Sequence, residues 1–194
     1  MTAPRPVVVK VGGSLLDWPE FPARLTAYLN QRANDRLLLI VGGGQAADVI
    51  RRLDEIHALG EAQAHALALR SLDLTAQILA ALVPGLEVVA HPKALDSVWD
   101  AGLTPILAPR LMLDDDDRTG VDPLPHSWSV TTDAVAARVA VLLNASELVL
   151  LKSAPLPPGA DMAEATKLGL IDPAFPVAAR PLERVLYLDF RDQT

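Results

Sequence analysis

Cysteine is absent from this 194-residue chain, which removes disulfides, thiolate metal sites and cysteine nucleophiles and fits a reducing compartment. No apolar run approaches the roughly 20 residues that a membrane-spanning helix needs. The first six residues lead to the first strand without the apolar core of a signal peptide, so a cytoplasmic protein with no membrane partner is expected. Positive charge is scarce too: 17 Lys and Arg stand against 24 Asp and Glu, a formal net charge of −7. Such a surface repels phosphate backbones, so nucleic acid is not an expected partner and any bound anion must be held by local geometry. Lysine occurs only at positions 10, 93, 152 and 167, which makes each lysine informative. The histidines at 57 and 91 show no metal-ligand spacing, and no transition-metal site is expected.

Two glycine clusters stand out against this background, each closing a short apolar run: Val7-Val8-Val9-Lys10-Val11-Gly12-Gly13-Ser14 and Leu37-Leu38-Leu39-Ile40-Val41-Gly42-Gly43-Gly44. A buried strand that stops at glycines and gives way to a helical pattern brings bare backbone N–H groups and a positive helix end to the sheet edge. Both turns therefore suit phosphate. Trp18, Phe21, Leu25, Tyr28 and Leu29 recur at helical spacing after the first turn, and Val49, Ile50, Leu53 and Ile56 after the second. Glu61 to Leu82 reads as a long helix closed by Pro84-Gly85, followed by short strands at Leu86 to Ala90 and Thr104 to Leu107. Met112 to Pro125, with its run Asp114 to Asp117, is expected to be an exposed loop or hairpin. A helix from Thr132 to Asn144, with Val135, Val139, Leu142 and Leu143 on one side, leads into a strand at Leu148 to Leu151. A proline-rich loop at Ala154 to Gly159, a short helical piece and a last strand near Arg184 to Leu188 complete the pattern. With 51% hydrophobic residues and no linker or repeat, this alternation predicts one α/β domain over residues 1–194, a three-layer α/β/α sandwich on a mostly parallel sheet. Ligands in such a fold sit at the carboxyl ends of the strands, where both glycine turns and Lys152 fall.

The common phosphate motifs narrow the chemistry. GxxxxGK[ST] is absent, and so are the HRD and DFG elements of a protein kinase. Gly42-Gly43-Gly44-Gln45-Ala46-Ala47 satisfies GxGxxA, but a dinucleotide site wants a second strand about 20 residues on, and Glu61 onward reads as helix. Phosphoryl transfer by positioning and charge remains: an in-line arrangement with cations where the equatorial oxygens gather negative charge. Lys10, beside the first glycine turn, is placed to supply that charge, although a lysine flanked by valines could also simply reach solvent from a strand end.

Val9 to Ser14, Val41 to Gly44 and Ser129-Val130-Thr131-Thr132-Asp133, in that order and with Leu150-Leu151-Lys152 downstream, resemble the motifs of the amino acid kinase family over nearly the whole chain. Within that family the short length and the stretches 65–73, 126–133 and 169–175 are most similar to the aminomethylfuranmethyl phosphate kinases of methanofuran-type cofactor synthesis. The resemblance implies an amino acid kinase-like fold, a homodimer, and an ATP-dependent, Mg²⁺-assisted kinase acting on a small-molecule acceptor, a phosphate monoester taken to the diphosphate. A carboxylate kinase of the acetylglutamate or glutamate type, and a non-catalytic nucleotide- or oxyanion-binding protein of the same fold, are the alternatives.

The resemblance also assigns roles. It implies that Lys10 bridges the donor and transferred phosphates, that Gly12, Gly13 and Ser14 bring backbone N–H groups to the nucleotide, and that Asp133 holds the catalytic lysines. The residues alone leave open that Asp133 is an ordinary first-turn acid behind a Thr131 or Thr132 cap. Larger members place a second cation late in the chain after a glycine-rich turn. Gly169-Leu170-Ile171-Asp172 has none, so Lys152 is expected in that catalytic and nucleotide-binding role, with Lys167 a further nucleotide candidate. Gly42, Gly43, Gly44, Asp48, Asp73 and Trp128 are the expected acceptor-binding residues. Asp48 or Asp73 could pair an aminomethyl ammonium, and Trp128 could cover the acceptor ring or pack in the core. His65, Arg70 and Asp73 share a helix and could reach the acceptor or a subunit contact. Asp114 to Asp117 is expected to be solvated rather than a Mg²⁺ cage, since Mg²⁺ in kinases is held mainly by nucleotide phosphates and one or two carboxylates.

Overall fold

Three aliphatic runs buried on both faces make the middle of the sheet: β1 (Val7–Val11), β2 (Leu37–Val41) and β5 (Glu147–Lys152). Continuous rather than alternating hydrophobicity is what a strand covered by helices on both sides requires. β3 (Leu86–Val89), β4 (Thr104–Leu107) and β6 (Val185–Asp189) complete a six-stranded sheet in the order β3-β4-β2-β1-β5-β6. Every pairing is parallel. The chain, a computed structural model describing residues 4–192, leaves β1 for β2 on one side and returns to β5 on the other. The crevice between β1 and β5 is therefore the topological switch point, where parallel sheets bind ligands.

The two-residue period of the strands sorts side chains into two layers. Val7, Val9, Val11, Leu39 and Leu151 pack against α1 (Phe21–Gln31) and α3 (Glu61–Leu82). Val8, Leu38, Ile40, Leu148 and Leu150 face α6 (Thr132–Leu142). The alanines of α6 at 134, 136, 137 and 140 are wholly buried, and their small side chains let that helix lie close on the sheet. By the same alternation Lys10 and Lys152 share the α6 face.

The long helix over 61–82 and the strand over 104–107 stand where the sequence placed them. The main difference lies at Met112 to Pro125. Instead of an exposed loop, Arg110–Thr119 forms a helix, α5, following the short α4 (Leu95–Asp100). The four aspartates tolerate it because each finds a partner: Asp114 with Arg110 (3.1 Å), Asp115 with Arg118, Asp116 with Arg138, and Asp117 with His126 (2.7 Å). Asp116 is buried, and Arg138 grips both of its oxygens at 2.7 Å. The acidic run is thus helical, with Asp116 buried and the other three aspartates exposed, and the expected loop is confined to residues 120–125. α6 stops at Leu142, two residues short of Asn144, and Leu142 is partly exposed. α2 (Gly44–His57) has the expected apolar face, but Val49, Leu53 and Ile56 on it are exposed, as are Leu74, Ile78 and Leu82 of α3. Among the described residues no helix is long and apolar enough to cross a membrane.

Candidate active site

The site grows from the register of three strands. Val11 of β1 pairs with Val41 of β2 and with Leu151 of β5, so the glycine turns that follow β1 and β2 emerge side by side with Lys152. Gly12 N–H donates to Leu151 O at 2.9 Å and Gly42 N–H to Val11 O at 2.8 Å, carrying the sheet into both turns. The turns then touch backbone to backbone. A Cβ on Gly13 would fall 2.6 Å from Gly44 Cα, and one on Gly42 would fall 2.6 Å from Gly13 N. Glycine is required here by contact between the turns, and at Gly44 also by a φ of +50°.

Beneath the turns lie two ammonium groups and one carboxylate. Lys10 Nζ is 2.9 Å from Asp133 Oδ1, and Lys152 Nζ is 2.6 Å from Asp133 Oδ2. Lys152 also donates to Leu170 O at 2.7 Å. Lys10 is 6% and Asp133 3% exposed. Burial alone would raise the Asp133 carboxyl, but the ammoniums of Lys10 and Lys152 outweigh it and hold it below the usual carboxylate range. Lys152 is pushed down from 10.5 to about 8, first by burial and then by Lys10, with Asp133 opposing. Two ammoniums crowd one carboxylate in a poorly solvated site, with Asp172 close enough to act on Lys152 as well. An incoming anion relieves the repulsion between the two ammoniums.

Asp133 is held by a cap that sequence reasoning missed. Asp172 Oδ2 accepts from Thr131 N–H (3.1 Å), the Thr131 hydroxyl (2.9 Å) and Ala134 N–H (2.9 Å). It thereby closes the first turn of α6 from outside the helix. Burial raises the Asp172 carboxyl, and the Ala134 and Thr131 donors work against that rise. Neither Thr131 nor Thr132 caps α6 through its own side chain.

Two cavities open on the carboxyl edge, and Lys10, Gly13 and Ser14 line both. One, about 250 Å³, lies over Gly12, Lys152, Ser153 and Tyr187. Here the Ser14 and Ser153 hydroxyls are 2.8 Å apart, and Tyr187 donates to Ala154 O at 2.8 Å. The other, about 310 Å³, lies over Gly42, Gly43, Gly44, Asp48, Arg51 and Thr132. It adjoins a compartment of about 50 Å³ bounded by His65, Leu69, Trp128 and Val130. His65 is stacked on His126 with ring centroids 5.3 Å apart; burial, then His126, pushes its imidazole pKa down. The largest cavity, about 790 Å³, opens at the opposite, amino edge around Arg32, Arg36 and Trp99 and has neither lysine nor glycine turn suited to phosphate.

Lys10, Gly12, Gly13, Ser14, Asp133 and Lys152 thus converge, and Gly42, Gly43, Gly44 and Asp48 line the second cavity, with Trp128 in the compartment beside it. Asp73 and Lys167 do not join them. Asp73 turns to Arg110, 3.5 Å away, and Lys167 ends the short helix α7 (Met162–Lys167) as an exposed residue. Neither lines the two cavities. Arg51 lines the second cavity without having been expected there; its position two turns into α2 was the only signal. Among the described residues no cluster of three His, Asp or Glu could hold a metal ion, and the carboxylate at the centre is already engaged by two lysines.

Residues 5–155 match the amino acid kinase family. The chain belongs to that family. A curated relative, [5-(aminomethyl)furan-3-yl]methyl phosphate kinase of Methanocaldococcus jannaschii, is 26% identical over 151 residues, 74% of this chain and 63% of the relative. This chain therefore spans under two thirds of that relative's length. Among solved structures, uridylate kinase of Archaeoglobus fulgidus aligns with a TM-score of 0.61 and 17% identity over 96% of this chain and 92% of its own. UMP kinase of Bacillus anthracis gives 0.65 and 13% over 98% and 90%. Aspartate kinase of Synechocystis gives 0.61 and 16% over 93% of this chain and 38% of its own. These three likenesses concern the fold.

Proposed function

We propose that residues 1–194 act as one domain that transfers the γ-phosphoryl group of ATP to a small phosphate monoester, forming the diphosphate. The observation that carries this reading is the position of Lys10: buried, paired to Asp133, and lining both cavities. A donor in the cavity of Lys152 and an acceptor in the cavity of Asp48 would meet at its ammonium. An acceptor phosphate oxygen attacks the γ-phosphorus, the bond to the β–γ bridging oxygen breaks, and ADP leaves with that electron pair. Lys10 and Lys152 neutralise charge on the equatorial and leaving oxygens, while backbone N–H groups of Gly13 and Gly44 orient the phosphates, the Gly12 N–H being spent on Leu151 O. Asp133 keeps both ammoniums aimed at the crevice. Mg²⁺ fits this site only as a passenger on the nucleotide phosphates, where it supplies further charge neutralisation.

The named relative supports [5-(aminomethyl)furan-3-yl]methyl phosphate as the acceptor. Asp48, exposed in the acceptor cavity, would pair its ammonium. A homodimer in the cytoplasm completes the reading, with the exposed apolar residues of α3 as the contact. The test is ADP release with that phosphate, acetylglutamate, glutamate, carbamate and UMP as acceptors. Release confined to the furan phosphate supports the reading. Release with acetylglutamate or glutamate assigns a carboxylate kinase instead, and ATP binding with no release on any acceptor leaves a nucleotide-binding protein.

A further inference from the structure

Bringing a phosphate monoester against a second phosphate sets two anions face to face, a demand that an alcohol acceptor does not make. Lys10 cannot meet it alone, because its ammonium is already paired to Asp133 at 2.9 Å. The acceptor cavity holds one other cationic lining residue, Arg51, which also borders the small compartment beside Trp128. Its guanidinium lies over the Trp128 ring, 4.8 Å from the centroid. That ring is itself tied down: the indole N–H donates to Asp54 Oδ2 at 2.8 Å, and Asp54 Oδ1 accepts from Gly60 N–H at 3.1 Å. The α2–α3 turn thus fixes the indole, and the indole offers its face to the guanidinium. The sole ion-pair partner of Arg51 among the described residues is Asp48 at 3.2 Å, whose side chain is 68% exposed. A pair so exposed holds its partner weakly. A guanidinium has five N–H donors in a fixed fork, and this one spends a single close contact.

We infer that Arg51 binds the acceptor's own phosphate bidentately, selecting phosphomonoesters over carboxylates and alcohols, with Trp128 as its positioning residue. This rests on the kinase reading above. The dianion takes the fork of Arg51 on one side and the glycine N–H groups on the other, leaving one oxygen toward Lys10. Lysine at this position would keep the charge and lose the fork.

Two measurements test it. With ATP and the furan phosphate, R51M should raise the acceptor KM by about 10- to 100-fold, the range for a lost hydrogen bond to a charged group, and leave the ATP KM unchanged. R51K should recover part of that loss. W128F should raise the acceptor KM less than R51M, and its effect should vanish in the R51M background. The second measurement is equilibrium binding of phenyl phosphate and of benzyl alcohol, with no ATP present. Wild type should bind the phosphate better, and R51M should abolish the preference. Turnover with an acceptor KM unmoved by R51M overturns the inference and leaves the kinase reading standing. Absence of turnover on every phosphate, with Arg51-dependent phenyl phosphate binding, overturns the kinase reading and keeps the anion site. Binding of both probes alike by wild type and R51M overturns the inference whatever the turnover.

Discussion

The depressed Lys152 ammonium has a kinetic consequence that can be worked from its surroundings. Its pKa of about 8 leaves roughly nine tenths of the free enzyme charged at pH 7 and about one tenth at pH 9. If the charged form receives the nucleotide, kcat/KM for ATP should fall about tenfold between those pH values. An ATP oxyanion facing Lys152 raises its pKa, so the limb in kcat should stand at higher pH than the limb in kcat/KM. K152R keeps a charge that does not titrate in this range and should remove the limb. Stability moves the other way. Because the folded pKa is lowered from 10.5 to about 8, the unfolded chain binds more protons between those values, and stability rises with pH there. The penalty, on the order of 3 kcal/mol, is full below about pH 8 and lifts as pH approaches about 10.5. The melting temperature of wild type relative to K152M should therefore climb over that window. The assays are initial rates across pH 6 to 10 and thermal melts in the same buffers. A kcat/KM profile flat to about pH 9.5, or a limb near 8 that persists in K152R, would refute the reasoning.

Other expectations follow from single contacts. D172A removes the acceptor of three donors at the start of α6 and should cost about 1–2 kcal/mol. That is about 2–8 °C in melting temperature for a chain of this size, and kcat should fall with it; D172N should recover part of both. G13A sets a Cβ 2.6 Å from Gly44 Cα and should abolish ATP turnover, while G12A, with its nearest neighbour at 3.1 Å, should lose less, as paired titrations with ATP will show. R138M strands the buried Asp116 carboxylate and should destabilise by about 3–5 kcal/mol in denaturant melts, with little change in the ATP KM of the remaining folded enzyme.

Much of the fold could be read from residue order. β1, β2 and β5 were visible because strands covered on both faces need unbroken aliphatic runs, and α3 because Gly60 and Pro84-Gly85 bracket it. Lys10, Asp133 and Lys152 could be brought together by motif resemblance, and the alternation along two adjacent strands explains why the lysines share a face. α5 could not be read, since four successive aspartates look like a solvated break unless their cations are known. The cation that matters most to Asp116, Arg138, comes from another helix. Asp172 was hidden for the same reason: it caps residues 38 and 41 positions earlier in the chain. Asp73 misled because its helix position resembles the acceptor side, while Arg110 draws it away. Arg51 carried no motif; only the folded position of Trp128 gives it an orientation.

The central claim is that the two ammoniums crowded onto the Asp133 carboxylate serve phosphoryl transfer rather than folding. K10M removes one cation and its repulsion on Lys152, and leaves Asp133 paired to Lys152. Its thermal melt, measured beside its ATP-dependent phosphoryl transfer, separates the two roles. The account predicts a melting temperature no lower than wild type and a kcat reduced by at least about 10²-fold. A K10M protein that transfers phosphate within a few-fold of wild type, or one that loses its fold at neutral pH, would contradict it.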